Sequence, residues 1–385
     1  MKIAFVRKAY TPYGGAERYL SQLMERLCAQ GHEVHVFAHR WEAHQPDEAR
    51  EGRGTPVFHR VPVISSPSFL EALTFALSAR RLLQEQEFDV IHSFERTLYQ
   101  DIYRAGDGCH REWLIQRRKL DSWWKRKTYV LNPLHQTLLY LEKRLFQSPR
   151  LRKIIANSRR GREEILRHYG VPAEKIEVMY NGVDLENFHP SNITMYRRSL
   201  RKELHIPGEG LVILFLGSGF RRKGLRGLLD SLPFVKKEVP QVILIVAGRD
   251  RIEEYRQRAR RLGCERNVLF LGPTQRAREL YATCDLFALP TIYDPFSNAC
   301  LEAMATGVPV LTTPMNGVAE LIQDGENGFV VRDPMNSIEI GQKVLDFFFS
   351  PEKAAIGESA RKTALSLDLD SVLNRMVHIY EEFRK

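Results

Sequence analysis

The stretch LVILFLGSGFRRKGLRGLLDSLPFVKKEVPQVILIVAG, residues 211–248, decides the fold of the second half of the chain. It contains two apolar runs, LVILFLG and VILIVAG, that have the length and the β-branched content of buried strands. A helix-length segment lies between them. Because strands that alternate with helices form parallel sheets with covered faces, we predict a strand–helix–strand unit here.

The same alternation runs through the whole chain and starts twice. The runs KIAFV, EVHVFA, DVIHS and KIIANS predict strands in the first part, and NVLFLG, DLFALP and VPVLTT predict further strands in the second part. A chain of 385 residues is also too long for one ordinary core. The sequence therefore predicts an α/β protein with two doubly wound, Rossmann-like domains.

The turn-rich segment YNGVDLENFHP separates the two sets of strands. We therefore expect a first domain over residues 1–182 and a second domain over residues 183–367. Ligands of parallel sheets bind beyond the carboxyl ends of the strands, which predicts a central cleft that both domains face.

The composition excludes several classes of protein. Hydrophobic residues make up 43% and charged residues 27%, as in a folded globular protein. Arg7 and Lys8 break the first apolar run, and no run approaches the roughly 20 apolar residues of a membrane-spanning helix. Five scattered cysteines lack metal-ligand spacing, which favours reduced thiols in a cytoplasmic protein. We expect neither secretion nor membrane insertion.

The net charge of +10 indicates an anionic partner. An acidic lipid and a phosphorylated substrate fit this charge; no nucleic-acid-binding motif is recognisable, so a nucleic acid is not predicted. The segment 111–146 mixes clustered Arg and Lys with Trp113, Trp123 and Trp124. This pattern is compatible with a solvated helix pair whose tryptophans pack inward, and with a surface that docks on an anionic membrane.

Two glycine-containing motifs could bind phosphate. In YTPYGGAERYL, Gly14 and Gly15 lie between the first strand and a helix, where backbone amides can approach a phosphate, although an ordinary tight turn has the same pattern. In SGFRRKG, Arg221, Arg222 and Lys223 follow the carboxyl end of a strand, where cationic side chains suit a diphosphate, although a solvated basic loop has the same composition.

A third motif is DPFSNACLEAMATGVPV, residues 294–310. With Ser297 as the helix cap, the free amides of the first turn suit a phosphate. Side chains on a helix tilt toward its amino terminus, so Glu302 leans back toward the same place. Its carboxylate and that of Asp294 suit sugar hydroxyl groups. The motif predicts a buried helix that presents two acids to a phosphorylated sugar.

Taken together, PFSNACLEAMATGVPVLTT, NGVD, VAGRD, the Arg-Lys-Gly loop and YGGAERY resemble the retaining nucleotide-sugar glycosyltransferases of family 4. The resemblance covers nearly the whole chain. It implies the GT-B architecture, in which an acceptor-binding domain faces a donor-binding domain and the last helix, about residues 368–385, crosses back onto the first domain. The family usually has Glu where this chain has Asp294, and many members have Arg where it has Ser218.

Within the family, the opening FVRKAYTPYGGAERYLSQL, HRWE and the basic aromatic segment are similar to the lipopolysaccharide-core heptose glucosyltransferases. This resemblance implies transfer of a hexose, with UDP-glucose as the first donor to consider, to a lipopolysaccharide-core or related glycolipid or oligosaccharide acceptor. The sequence has no cluster of Asp or His for a metal, and basic residues can take its place, so we expect a metal-independent enzyme in the cytoplasm. Under the membrane-docking interpretation of segment 111–146, it associates with the inner face of the cytoplasmic membrane.

The resemblance assigns roles residue by residue. Its implied donor-binding residues are Gly14, Gly15, Arg222, Lys223, Asp294, Asn298, Ala299 and Glu302. Its implied catalytic residues are Asp107, His110, Lys223 and Asp294. A UDP-sugar epimerase, another nucleotide-sugar transferase of polysaccharide synthesis, a NAD-dependent enzyme and an RNA-binding protein are the alternatives.

Overall fold

Two parallel sheets, each in its own part of the chain, organise the fold. The computed structural model describes residues 1–10, 15–41, 54–208 and 210–383. The chain divides into a first unit, Met1–Tyr180 with Asp370–Lys385, and a second unit, Asn181–Leu369. Each unit carries helices around its parallel sheet, which confirms the predicted α/β fold of two Rossmann-like domains.

The first unit is built on a seven-stranded sheet. The strands of this part of the chain are β1 Lys2–Val6, β2 Ala9–Tyr10, β3 Glu33–Ala38, β4 Arg40–Trp41, β5 Val57–Arg60, β6 Val90–Ser93, β7 Ile102–Arg104, β8 Lys153–Ala156 and β9 Ile176–Val178. The sheet order is β5-β3-β1-β6-β7-β8-β9, and β2 and β4 form a separate pair. The helices are α1 Gly15–Ala29, α2 Ser68–Gln84, α3 His110–Leu120, α4 Trp123–Leu131, α5 Pro133–Phe146 and α6 Arg159–Tyr169, with a 3-10 turn at Ala173–Lys175.

The second unit is built on a six-stranded sheet. Its strands are β10 Val212–Leu216, β11 Ile243–Ala247, β12 Val268–Gly272, β13 Leu286–Leu289, β14 Val310–Thr312 and β15 Gly328–Val330. They lie in the order β12-β11-β10-β13-β14-β15. The helices are α7 Ser191–Glu203, α8 Leu225–Glu238, α9 Ile252–Arg261, α10 Ala277–Thr283, α11 Asn298–Ala305, α12 Ser337–Phe349 and α13 Lys353–Leu365, with 3-10 turns at Glu265–Asn267 and Gly317–Leu321.

The central strands are buried on both faces. Every residue of β11 and of β13 is buried, and β10 is buried along all but its last residue. Helices on both faces of a parallel sheet leave no solvated side, so these strands need continuous apolar runs rather than alternating ones. The quoted runs LVILFLG and VILIVAG meet that requirement.

Strand order places a switch point in each sheet. From β10 the chain moves outward through β11 and β12, then returns to add β13, β14 and β15 on the other side. The first unit does the same around β1 and β6. Ligands of doubly wound sheets bind outside the carboxyl ends of the two strands at such a point. In the second unit these are the ends of β10 and β13.

The last helix, α14 Leu369–Glu381, packs into the first unit. Its Tyr380 is buried, and the Tyr380 hydroxyl lies 2.6 Å from Nδ1 of His92 in β6. Beyond this helix, Glu382 accepts a hydrogen bond from Lys153 Nζ in β8 over 2.6 Å. Residues far apart in sequence therefore complete one core.

Segment 111–146 forms three helices rather than a helix pair. Asn132 ends α4 and caps α5, because its side-chain oxygen accepts the amide of Leu134 at 2.9 Å and Pro133 occupies the first helical position. Trp123 is 52% and Trp124 is 65% exposed. These two tryptophans do not pack inward, so the inward-packing interpretation is wrong for them.

Candidate active site

The loop after β10 and the segment after β13 are joined by hydrogen bonds. The carbonyl of Arg222 accepts the amide of Ile292 at 2.8 Å and the hydroxyl of Thr291 at 2.9 Å. Gly224 has a φ of +82°, and a Cβ built there would lie 1.8 Å from the carbonyl oxygen of Pro290. Only glycine permits this approach, which brings the basic loop to the carboxyl end of β13.

Two cations of this loop meet one acid. Lys223 Nζ donates to Oδ2 of Asp294, and Arg222 Nη1 lies 3.7 Å from the same oxygen. Arg222 also donates to the carbonyl of Tyr293 over 3.1 Å. The side chains of Lys223 and Asp294 are only 11% and 7% exposed. Buried charges need partners, so this pair holds the loop and the acid in one place.

Helix α11 begins directly after this acid. Ser297 occupies the cap position, but its hydroxyl makes no capping hydrogen bond, contrary to the role that the sequence suggested. Asn316 orders the helix start instead, because its side-chain oxygen accepts the amide of Ser297 at 3.2 Å. Within the described part of the chain, the amides of Asn298 and Ala299 have no acceptor. They are the donors that a helix start offers to an anion.

Glu302 lies one turn further along α11 and is held by a tyrosine. The buried Tyr281 hydroxyl donates to Glu302 Oε2 over 2.8 Å. Burial, reinforced by the Glu302 carboxylate, raises the pKa of Tyr281 well above its ordinary value. Tyr281 is therefore a permanent donor that fixes the carboxylate.

A second side chain orders the start of α11. Asn181 Nδ2 donates to the side-chain oxygen of Asn298 over 2.7 Å. Asn181 belongs to the NGVD segment, which sequence analysis treated only as a domain boundary and a family motif.

The remaining predicted site residues lie in the first unit. Asp107 is exposed on the loop after β7. His110 is buried at the start of α3, and its Nε2 lies 3.1 Å from Nδ1 of His135. Burial, with the nearby Arg96, lowers the pKa of His110 to about 4. Gly15 begins α1, and Gly14 lies outside the described residues.

A buried ion pair supports the loop of Asp107 and His110. Glu142 is 1% exposed and accepts Arg96 Nε over 3.0 Å and the backbone amide of His110 over 2.8 Å. Arg96 also donates to the carbonyl of Gly108 over 2.7 Å. Arg96 lowers the pKa of Glu142 against the opposing effect of burial, which keeps the carboxylate charged.

Sequence reasoning missed three groups that order the site: Tyr281, Asn181 and Asn316. Asn316 carried a weak signal, since it stands in an Asn-Gly pair just after a strand, where turn residues often shape a binding loop. Tyr281 carried no such signal, because it stands inside an ordinary helix segment.

The described residues offer neither a cluster of metal ligands nor a helix that could span a membrane. Among residues 1–10, 15–41, 54–208 and 210–383, no group of three or more His, Cys, Asp or Glu side chains could hold a metal ion. The same part of the chain has no helix with the length and apolar character needed to cross a membrane.

Two family models match most of the chain. The Glycosyltransferase Family 4 model matches residues 13–187, and the Glycosyl transferases group 1 model matches residues 197–363. The chain is 26% identical to the lipopolysaccharide glucosyltransferase WaaG of Escherichia coli (strain K12), over 98% of this chain and 98% of WaaG.

Solved structures share the fold. The crystal structure of WaaG, a glycosyltransferase involved in lipopolysaccharide biosynthesis, has a TM-score of 0.82 at 24% identity and covers 98% of this chain and 99% of its own. The crystal structure of Anabaena Alr3699/HepE in complex with UDP-glucose has a TM-score of 0.73 at 22% identity and covers 99% of this chain and 100% of its own.

Proposed function

We propose a function for this chain, which belongs to the glycosyltransferases with a family 4 domain followed by a group 1 domain. It transfers a hexose from a nucleotide diphosphate sugar to a glycolipid or oligosaccharide. UDP-glucose is the first donor to test, because the related HepE structure contains it. A lipopolysaccharide core is the first acceptor to test, because WaaG is a lipopolysaccharide glucosyltransferase. We further propose that the transferred sugar keeps its anomeric configuration and that the reaction needs no metal ion.

One observation carries this proposal: Arg222 and Lys223 converge on Asp294 immediately before the free amides of α11. The place is the switch point of the second sheet, where ligands of this fold bind. A cation pair, an acid and a helix start suit a diphosphate joined to a sugar.

The chemistry follows from the charge that the leaving diphosphate acquires. Arg222, Lys223 and the first amides of α11 are proposed to offset this charge. This charge is greater in the transition state than in the bound donor, so these contacts raise turnover more than they raise ground-state affinity. Asp294 holds the ammonium group of Lys223 in place, and we assign Asp294 and Glu302 to the hydroxyl groups of the donor. Since none of these carboxylates is assigned as a nucleophile, we propose attack of the acceptor from the face that the diphosphate leaves.

For the acceptor side, burial and charge favour Asp107 over His110. Asp107 is exposed and can reach a hydroxyl group. His110 is buried and bonded to His135, and its lowered pKa makes it a poor proton acceptor near neutral pH. We therefore propose that the acceptor hydroxyl passes its proton to Asp107 or to the leaving diphosphate as its oxygen bonds to the transferred sugar.

We also propose that segment 111–146 rests on an anionic membrane surface, where a glycolipid acceptor would be found. Trp123, Trp124 and Leu131 are exposed, the last at 79%. Indole rings favour the membrane interface, and neighbouring basic residues attract anionic lipids. This contact would place the protein at the periphery of the membrane.

A donor panel tests the proposal. UDP-glucose should raise the melting temperature more than the GDP and ADP sugars, since a ligand at about 100 times its Kd stabilises a protein by about 2.7 kcal/mol. Incubation with UDP-glucose and a lipopolysaccharide core should release UDP and glycosylate the core. Isomerisation of the donor without acceptor would instead identify an epimerase, and a shift with NAD alone would identify a nicotinamide-dependent enzyme.

A further inference from the structure

A cavity of about 670 Å³ lies in the first unit between α3, α5 and the end of α6. Its walls include Arg111, Leu114, Ile115 and Arg118 of α3, positions that share one helix face. They also include Leu139, Tyr140 and Lys143 of α5, again one face. Cations therefore stand at both ends of an apolar strip.

Three cations line this cavity: Arg111, Arg118 and Lys143. Within the described part of the chain, the side chains of Arg111, Arg118 and Lys143 make no ion pair, and no acid lines the cavity. Two acids contact lining residues and are already paired: Glu112 with His168 of the lining at 2.6 Å, and Glu142 with Arg96 at 3.0 Å. The Tyr169 hydroxyl, also in the lining, donates to Glu142. The lining therefore carries the cations Arg111, Arg118 and Lys143 and no acid.

The middle of the cavity is apolar and partly open. Ile115 is 37% and Tyr140 is 52% exposed, and Leu114 beneath them is buried. A small inorganic anion would satisfy the cations and leave this strip in water. A ligand that joins a phosphate to a short apolar portion would satisfy both, because guanidinium groups bind phosphate oxygens in pairs and burying the strip is favourable.

We propose that this cavity binds the head group of an anionic glycerophospholipid, with the phosphodiester between Arg118 and Lys143 and the glycerol and first acyl carbons against Ile115 and Tyr140. Helix α4 lies between α3 and α5 in the sequence, and its Trp123 and Trp124 are exposed. The inference deepens the proposed membrane contact of segment 111–146 by naming a discrete lipid site within it, and it does not depend on sugar transfer.

Adjacent residues provide a charge-matched control. Lys119 follows Arg118 on α3, and Arg144 follows Lys143 on α5; both are exposed and neither lines the cavity. The variants R118Q/K143Q and K119Q/R144Q remove the same charge from the same two helices. If only general electrostatic attraction acts, both double variants should lose lipid affinity equally. If the cavity is the binding site, R118Q/K143Q should lose more affinity than K119Q/R144Q.

The experiment uses the full-length chain and monomeric dihexanoylphosphatidylglycerol, measured by calorimetry without donor. We expect the wild type and K119Q/R144Q to bind alike within twofold, and R118Q/K143Q to bind on the order of twentyfold more weakly, about fivefold for each charge. Y140S should weaken binding of the lipid and leave binding of inorganic phosphate unchanged. Melting temperatures of all variants check that they fold.

Other outcomes overturn the proposal. Equal losses in the two double variants would reduce the site to general electrostatics. Inorganic phosphate that binds as tightly as the lipid would make the cavity an anion site without a lipid component. Binding of a short RNA that R118Q/K143Q abolishes, with no binding of the lipid, would assign the cavity to nucleic acid. Loss of sugar transfer alone changes none of these measurements, so the two proposals fail separately.

Discussion

At the scale of single residues, the buried contact between Lys223 and Asp294 has two effects that an experiment must separate. It positions the ammonium group, and it neutralises an acid that is 5% exposed. Removing one partner of a buried pair costs about 3–5 kcal/mol, because the other charge stays buried alone. A Lys223 variant is therefore expected to lose both activity and stability.

We predict that K223A lowers kcat by about 100-fold or more, since the lost cation would act mainly in the transition state. K223R keeps the charge and should retain more activity than K223A. Steady-state kinetics with UDP-glucose and a melting curve for each variant check this. R226A is the control, because Arg226 lies three residues further along, in the first turn of α8, with a side chain that is 60% exposed. A near-normal kcat for K223A would remove Lys223 from the proposed mechanism.

His110 gives a pH-dependent prediction. Its folded-state pKa of about 4 lies below the ordinary value of 6.5. Between these values the unfolded chain binds more protons than the folded chain, so the free energy of unfolding rises with pH across this window. The stabilisation is complete at pH 7 and is lost as the pH falls toward 4. The slope for one group is at most about 1.4 kcal/mol per pH unit.

The variant H110Q should flatten this dependence. Denaturant unfolding between pH 7 and pH 4.5 measures the free energy of unfolding for the wild type and for H110Q. The exposed His378 supplies the control H378Q, whose slope should match that of the wild type. A wild-type slope in H110Q would mean that other groups cause the acid sensitivity.

At the scale of elements, the contact between the loop after β10 and the chain after β13 depends on Gly224. Two separate effects oppose any side chain there: a φ of +82°, and the Pro290 carbonyl oxygen 1.8 Å from the Cβ position. Gly263 isolates the first effect, because its φ is +65° with nothing within 4 Å. Backbone strain alone costs roughly 1–2 kcal/mol.

We predict that G224A destabilises the second unit clearly more than G263A and also weakens donor binding. The added methyl group must push Arg222 and Lys223 away from Asp294, since the neighbouring backbone atom cannot move aside by itself. Chemical denaturation and titration with UDP measure the two losses. If G224A and G263A are equally stable and bind UDP alike, the close approach at Pro290 does not shape the site.

Helix α14 is the second element with a specific consequence. It buries Val372, Leu373, Met376, Val377, Ile379 and Tyr380 in the first unit. Burying one large apolar side chain stabilises a protein by about 1.5–3 kcal/mol, so truncation after Leu367 should unfold the first unit. Circular dichroism and solubility of the truncated chain check this. Unchanged stability would contradict the packing of α14.

A milder change tests the same helix. Y380F removes the partner of His92 Nδ1 in the core, and leaving a buried polar group unsatisfied costs about 1–3 kcal/mol. Y140F is the control, because Tyr140 is 52% exposed in the same unit. A loss in Y140F as large as that in Y380F would show that the hydrogen bond is not responsible.

At the scale of the whole molecule, most of the proposed donor-binding residues and the proposed acceptor-side residues lie in different units. The predicted donor residues with a described position lie in the second unit, apart from Gly15, and Asp107 and His110 lie in the first. The chain passes between the units twice, near residues 180 and 369. Each unit has its own sheet and its own switch point, so the ligand of one can be probed without the ligand of the other.

We predict that UDP slows hydrogen exchange in the second unit, in the loop after β10, residues 217–224, and around the start of α11, residues 294–302. The amides of these segments belong to the proposed diphosphate site. Mass spectrometry with and without UDP measures the change for each peptide, and UMP at the same concentration controls for the base. Protection confined to the first unit would move the donor site away from Lys223.

Apart from β7, whose three buried residues make too short an apolar run, the sequence by itself determined the fold class and the central strands of both sheets. These strands are buried on both faces, so they require apolar runs that can be read directly. It also placed Arg222, Lys223 and Asp294 beyond the carboxyl ends of two strands, and parallel neighbours bring such ends together. The short outer strands, such as β5 and β9, were missed, because they are partly exposed and carry no continuous apolar run.

Only the tertiary structure decided which side chains share a hydrogen bond. Tyr281 with Glu302, Asn181 with Asn298, and Tyr380 with His92 are separated in sequence by 21, 117 and 288 residues. The structure also decided that His110 is buried and that Trp123 and Trp124 face water. Hydrophobic patterns record which face of a strand or helix is buried, whereas partners and exposure depend on which elements pack together, and that is fixed only when the whole chain folds.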